Sequence, residues 1–368
     1  MNTSAHVDTR SEASAMTDLD LASRPLTAYP HREKVLDLAE QAADAVDRDQ
    51  ASPFTTLQEL GDLGLLTLGR TGSLLPQAAV VHDIATHCVS TAFSLWAHRS
   101  VIAFFDAVDR PLPEGLSTAR VSGTTAMAAA FKDAAGIGEL GVRARPGAEG
   151  GLILDGVIPW ASNLHPGGIA VVPVALTDDE GHQTGKAIVA LSTDRSGFDT
   201  APMRNLLALN ATRSGFTRVR EVHVPARDIL TEDVPAFLAR ISAPFLLLQS
   251  SLCLGLAAAA VDSARLGADH VCGVFREQYD AVAATQHQLR GRLTVLAEDP
   301  GSATRRDLLQ LRLDAAHQAK AATDLELMVV GGRGYVARSA TARRVREAAF
   351  LPVQSPTEGH LRLELQRA

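Results

Sequence analysis

A chain of 368 residues with 46% hydrophobic content can bury a sizeable core, which excludes wholesale disorder and suits several subdomains better than one small module. Lys and Arg total 35 against 42 Asp and Glu, a formal net charge of -7, and no segment interleaves basic and aromatic residues, so a nucleic-acid partner is excluded. Cys88, Cys253 and Cys272 form neither a C-x-x-C pair nor a disulfide framework, which fits a reducing cytoplasm.

Residues 1–28 are polar, with no apolar core for a signal peptide or spanning helix, and read as a flexible tail. From Arg32 to Asp49, Val35, Leu36, Leu38, Ala39, Ala42, Ala43 and Val46 recur at helical spacing on a charged background, predicting an amphipathic helix. Ser52-Pro53 opens a second helix through Leu57, Leu60 and Leu63 up to Gly64. Ala78 to Ala107 reads as one or two largely buried helices, completing a helical region over 29–115.

After Pro111 and Pro113 the pattern changes. Short β-rich runs at 151–154, 169–174, 187–191 and 219–224, punctuated by Gly, Pro and Asp, predict an antiparallel β domain over 116–230. Residues 231–368 return to helices: Ala236 to about His270, Arg276 to Glu298, Ala303 to Val330 and Ser339 to Ala349, with Pro300-Gly301 as a clear break. The most apolar stretch, Ile241 to Val261, contains Ser242, Gln249, Ser250 and Ser251, which favours a buried bundle helix over a membrane helix. The predicted class is α+β: an N-terminal helical domain, a middle antiparallel β domain and a C-terminal four-helix bundle.

That order, and four local stretches, resemble the acyl-CoA dehydrogenase superfamily. The stretches are Leu57 to Leu66 (LQELGDLGLL), Asp155 to Asn163 (DGVIPWASN), Val222 to Leu230 (VHVPARDIL) and Gly331 to Tyr335 (GGRGY). The resemblance implies a bound FAD. Trp160 offers a flat surface for an isoalloxazine ring, and Ser162 a hydroxyl and N–H for its polar edge; the alternative for Trp160 is simple core packing. Gly331 and Gly332 would let backbone approach the pyrophosphate of a neighbouring subunit's FAD, or else cap a helix. Thr125 and Thr357 match threonines beside the cofactor. Arg276 matches an arginine reaching across a subunit interface, or is a solvated helical arginine. Gln288 or Gln286 would contribute nearby, while Met328 stands where a glutamine is usual.

The resemblance also marks a gap. Family dehydrogenases use a glutamate to remove the substrate α-proton, and aligning Arg346-Glu347-Ala348 and Thr357 places Ser355 there. A serine hydroxyl of ordinary acidity is no such base. The alternative base position falls near Phe245 and Leu246, which are apolar. Glu358 and His360, close in sequence, are the remaining acid–base candidates, each weighed against a solvated or surface role. The substrate loop, Gly123 to Lys132, lacks the Ser and Asp that border a thioester's pantetheine arm, and Lys132 is either a phosphate contact or a solvated lysine.

No metal site is predicted: His82 and His87 are five residues apart, which does not put both on one helix face, and they read as structural. His98 stands out on the next segment. Gly331-Gly332-Arg333-Gly334 lacks the flanking strand and spacing of a Rossmann phosphate loop, so NAD binding is not supported.

The sequence favours the first of three functions, with the other two as alternatives. The first is an FAD-dependent oxidoreductase acting on a specialised acyl thioester, on CoA or an acyl carrier protein, with a relocated proton acceptor. The second is a flavin monooxygenase, which uses reduced flavin and dioxygen and needs no α-proton base. The third is a catalytically silent homologue serving as a binding or assembly module. A homodimer or homotetramer is expected, since the Arg276 and Gly331 regions would complete a second chain's FAD site.

Overall fold

The computed structural model describes residues 24–265, 267–268 and 273–368. Most of the expected tail, His270 and Cys272 lie outside the described residues.

The N-terminal helices are α1 (Arg32–Asp47), α2 (Pro53–Asp62), α3 (Leu75–His87) and α4 (Val89–Asp106). Helix α1 buries Val35, Ala39, Ala43 and Val46 of the predicted set, while Leu36, Leu38 and Ala42 flank that stripe half-buried. Ser52 caps α2 by accepting the N–H of Phe54, with Pro53 in the first turn. The apolar run 78–107 is two helices, broken at Cys88, whose extended backbone ends α3 and whose sulfur accepts the Thr91 N–H at the start of α4.

The sheet has eight strands: β1 (Gly123–Thr125), β2 (Val142–Pro146), β3 (Leu152–Ala161), β4 (Ile169–Thr177), β5 (Gln183–Ser192), β6 (Phe198–Pro202), β7 (Gly215–Val224) and β8 (Ile229–Thr231). Its order is β6-β7-β3-β2-β4-β5-β8, with β1 also on β4. The expected antiparallel sheet is corrected to a mixed one, because β1 and β2 each pair parallel to β4. Strand β4 is buried on both faces: Ala170, Val172 and Val174 belong to the sheet's own core, while Val171 joins the helical core. In β5, Val189 and Leu191 face the first core, and Ile188 and Ala190 the second. Gly156 (φ 141°) brings β3 against β2 so closely that a Cβ there would lie 2.2 Å from the Gly141 carbonyl oxygen.

Between β1 and β2 lies a short helix, α5 (Ala128–Ala134). The C-terminal part comprises α6 (Val234–Arg265), α7 (Arg276–Glu298), α8 (Arg305–Val330), α9 (Ala340–Phe350) and α10 (Glu358–Arg367). Helix α6 packs chiefly on α8 and on α3. Its approach to α3 depends on Gly255, where a Cβ would sit 2.2 Å from the His82 carbonyl oxygen. By length and composition α6 could cross a bilayer, yet 89% of its most apolar window is buried in protein. A Thr304/Asp307 capping box starts α8 after the expected break.

Candidate active site

A cavity of about 440 Å³ opens where the sheet meets the helices. Its two walls differ in chemistry. Strands β1 and β3 and the loop before β7 supply Thr125, Trp160, Ser162, Thr212 and Ser214, whereas α4, α6 and α9 supply Phe93, Trp96, Phe245 and Phe350. Both tryptophans and three of the eleven phenylalanines therefore reach one cavity in a chain only 4% aromatic.

The hydroxyl wall begins at Asn163, whose backbone is left-handed (φ 62°) and whose amide donates to the carbonyls of Ser94 (2.8 Å) and Gly123 (3.2 Å). These bonds fix the end of β3 against α4 and β1. Thr124 donates to the Asn163 carbonyl at 2.6 Å, whereas the buried hydroxyl of the next residue, Thr125, has no protein partner. The β3/β7 register shifts between Ile158 and Ala161, so Pro159 and Trp160 are both exposed and the indole of Trp160, half exposed at 50%, lines the cavity. Behind it runs a chain of hydroxyls: Thr212 donates to Leu209 O (2.7 Å) and lies 2.8 Å from Ser214, and Ser214 lies 3.3 Å from Ser162. With the Thr212 proton on Leu209 O, the single Ser214 proton serves either Thr212 or Ser162, so the Ser162 hydroxyl can accept from Ser214 or donate to it.

The opposite wall is an aromatic cluster. Trp96 stacks on Phe93 at 5.2 Å and meets Phe245 edge-on at 4.9 Å, and Phe350 meets Phe93 edge-on at 5.1 Å. The Trp96 indole N–H donates to the Phe245 carbonyl at 3.1 Å, which locks α4 to α6. Two cations reach the rim: exposed Lys132, and Arg346, which is held by Asp47 (2.5 Å) and the Ala337 carbonyl (3.0 Å).

Ser355 and Thr357 close the cavity from the segment between α9 and α10. The Ser355–Pro356 peptide is cis, and the buried Ser355 hydroxyl has no protein partner. From behind, Arg312 donates to Gln249 Oε1 (3.0 Å), Leu351 O (2.9 Å) and Gln354 Oε1 (3.3 Å), and Gln249 donates to Ser355 O at 2.9 Å. Thr357 caps α10 by accepting the His360 N–H, so its hydroxyl serves the backbone as well as the cavity.

The remaining predicted residues lie outside this cavity. Glu358 is paired with His317 (3.2 Å) and Arg362 (2.6 Å), and although burial opposes ionisation, those hydrogen bonds leave its carboxyl below the ordinary range. His360 is buried on α10, 3.6 Å from Glu364, and is not part of the cavity wall. Neither side chain lines the cavity, and the nearest charged partners of each are on α8 or α10. His98 is a strut: Nε2–H donates to Leu116 O (2.8 Å), Nδ1 accepts from Gly123 N–H (3.0 Å), and burial lowers its pKa to about 4. Arg276 lies over the Tyr279 ring and 3.7 Å from Asp280; Gln288 is exposed on α7, while Gln286 is buried and donates to Leu254 O. Gly331 (φ 65°) ends α8, and a Cβ on it or on Gly332 would meet nothing within 4 Å.

Among the described residues that line the cavity there is no carboxylate and no imidazole. Its only ionisable groups are the cations Lys132 and Arg346.

No protein-family model matches the sequence, and no curated protein matches it. Solved structures do. Butyryl-CoA dehydrogenase from Megasphaera elsdenii superposes with a TM-score of 0.78 at 17% identity, over 93% of this chain and 98% of that one. A glutaryl-CoA dehydrogenase from Mycobacterium smegmatis in complex with FADH2 gives 0.78 at 16% identity, over 96% of each chain. KijD3, in complex with FMN and a dTDP-linked amino-keto sugar, gives 0.71 at 18% identity, over 95% of each chain.

Proposed function

We propose, from the premise that the chain has the acyl-CoA dehydrogenase fold, that it is a flavin-dependent oxidoreductase and, more narrowly, a monooxygenase. The observation that carries the narrower reading is the cavity wall without a carboxylate or imidazole. A flavin fits the hydroxyl wall: the half-exposed Trp160 indole offers a stacking surface, and the orphaned Thr125 hydroxyl and the Ser162 hydroxyl are polar groups for a heteroaromatic edge. Flavin supplies two-electron chemistry, taking hydride when oxidised and activating dioxygen when reduced.

What the chain's own residues do follows from their places. Thr125 and Ser162 offer hydrogen-bonding hydroxyls and orient, Ser355 offers a neutral hydroxyl from the opposite side, and the four rings of the helical wall exclude water. None of these accepts an α-proton at neutral pH, which disfavours dehydrogenation of an acyl thioester. Oxygen insertion asks for donors and a dry chamber, and those are present. FAD and FMN both appear among the structural neighbours' complexes, and FAD remains the expected cofactor. Arg276, Gln288, Gly331 and Gly332 fit the part of a surface that completes the flavin site of a second copy of the chain.

The test is to purify the protein, reconstitute it with FAD or FMN, and supply a reductase and labelled dioxygen. The reading predicts a yellow protein whose product carries one labelled oxygen atom. Equal turnover of an acyl thioester without oxygen would exclude oxygenation, and failure to retain either flavin would exclude both the narrow and the broad reading.

A further inference from the structure

Behind the first cavity lies a second of about 650 Å³, lined by the first turns of α6, the 300–305 segment and Glu364 of α10. Helix α5 stands between them. Ala128 and Lys132, four residues apart, line the first cavity, while Phe131 and Ala134, three apart, line the second, so the helix presents one face to each. Next to α5 the division is completed by two rings: Phe131 on the second cavity's side packs against Phe245 on the first cavity's side, with centroids 4.8 Å apart. The helix is tied at its C-terminal half by Lys186 to Asp133 (2.5 Å) and by Arg367 to the Ala135 carbonyl (2.7 Å). The two chambers also differ in chemistry. The first is aromatic on its helical side, and the second carries Arg240, Arg305, Glu364 and Ser242 among aliphatic residues, with Arg305 paired to Glu364 at 2.6 Å.

We propose that the Phe131–Phe245 ring pair is a specificity-determining partition that confines substrate to the aromatic chamber and so selects a compact aromatic molecule over one bearing a long alkyl or thioester arm. The proposal rests on the reading of the first cavity as the substrate chamber. A ring inside it has four aromatic side chains to pack against, which a linear acyl chain uses less well. A chain long enough to pass beyond the ring of Phe245 meets Phe131, which is 3% exposed and backed by α5. Trimming either ring joins the two chambers.

The test uses 4-alkylphenols of increasing chain length, from 4-methylphenol to 4-octylphenol, titrated calorimetrically into the flavin-reconstituted wild-type protein and into Phe131→Ala and Phe131→Leu. In wild type the affinity should rise over the first carbons and then fall. In Phe131→Ala it should keep rising, by about fourfold for each methylene that gains a place beyond the partition, and Phe131→Leu should move the cut-off by a smaller step. The leucine variant retains most of the ring's packing and covers the case in which the alanine variant fails to fold. A cut-off that stays in place in a folded variant overturns the partition, while flavin absorption in the same sample leaves the functional reading standing. Binding of 4-octylphenol to wild type as tight as that of the short phenols also overturns the partition, as does no binding of any phenol to any of the three proteins, and only loss of flavin from the wild-type sample overturns the functional reading as well.

Discussion

The two walls of the cavity are built on opposite principles. On the helical side the Trp96 indole N–H is spent inside the protein, on the Phe245 carbonyl. On the sheet side consecutive residues divide the work. Thr124 is bonded to Asn163, and Thr125 is left without a protein partner. The contrast separates a threonine that holds the fold from one whose hydroxyl the fold leaves unused at the cavity wall.

Trp96→Ala tests the helical wall most severely. It removes a buried indole, its hydrogen bond and its contacts with Phe93 and Phe245, and should lower unfolding free energy by about 3–5 kcal/mol in denaturant titrations. Little or no loss would mean that the aromatic cluster is not part of the core.

Glu347 is the next largest lever. It is buried on α9, accepts the Val89 N–H at the start of α4 (3.1 Å), and has its pKa raised to about 7 by burial, with Asp47 adding to the effect. The folded chain therefore holds this proton more tightly than the unfolded one, whose carboxyl titrates near its ordinary value. Stability from this group is complete at low pH and is lost as pH rises through about 7. Glu347→Gln should be more stable than wild type at pH 8, by up to roughly 3 kcal/mol, and close to equal at pH 4.5. Melting temperatures at the two pH values check it.

The threonine pair sharpens the comparison most directly. Thr124→Val breaks a buried bond to the Asn163 carbonyl, which keeps the His165 N–H (2.7 Å) as its other donor, at a cost of about 0.5–1.5 kcal/mol, whereas Thr125→Val should change stability by less than about 0.5 kcal/mol and instead weaken flavin retention. If the two costs are equal, the distinction between the walls fails. Smallest of all, Ser355→Ala should leave the melting temperature within about 1 °C, because its hydroxyl has no partner to lose.

Long or doubly buried elements were legible in the sequence. Helix α6 and strands β4 and β5 are continuous apolar runs, and α7 was readable from end to end because Pro300-Gly301 marks its close and the Arg276 turn its start. Helices α5 and α10 were not, being short and held by tertiary contacts such as Lys186 to Asp133 and Arg305 to Glu364. The parallel pairing of β1 and β2 with β4 is set by distant chain segments, and no local pattern encodes it. The site divides in the same way. Trp160, Ser162 and Thr125 sit in local motifs that could be read, whereas Phe93, Trp96, Phe245 and Phe350 come from three helices whose convergence only packing reveals. In the sequence Phe245 shows only that its position is apolar, and nothing local marks its place in the aromatic wall. Glu358 and His360 were close to Ser355 along the chain, but the cap at Thr357 starts a new helix and carries both out of the cavity.

The Arg312–Gln249 network has a consequence for how the Ser355 segment behaves in solution. A buried guanidinium normally attracts a carboxylate, yet the acceptors here are two side-chain amides and a backbone carbonyl, none of which titrates in the physiological range. The segment is thus held by contacts that acidity cannot switch. Its posture should stay the same across conditions in which Glu347, a few residues away, gains or loses its proton. A pH-dependent rate, if one is found, would then originate in the helices beneath the cavity or in the substrate itself, and this closing segment would be its fixed reference point.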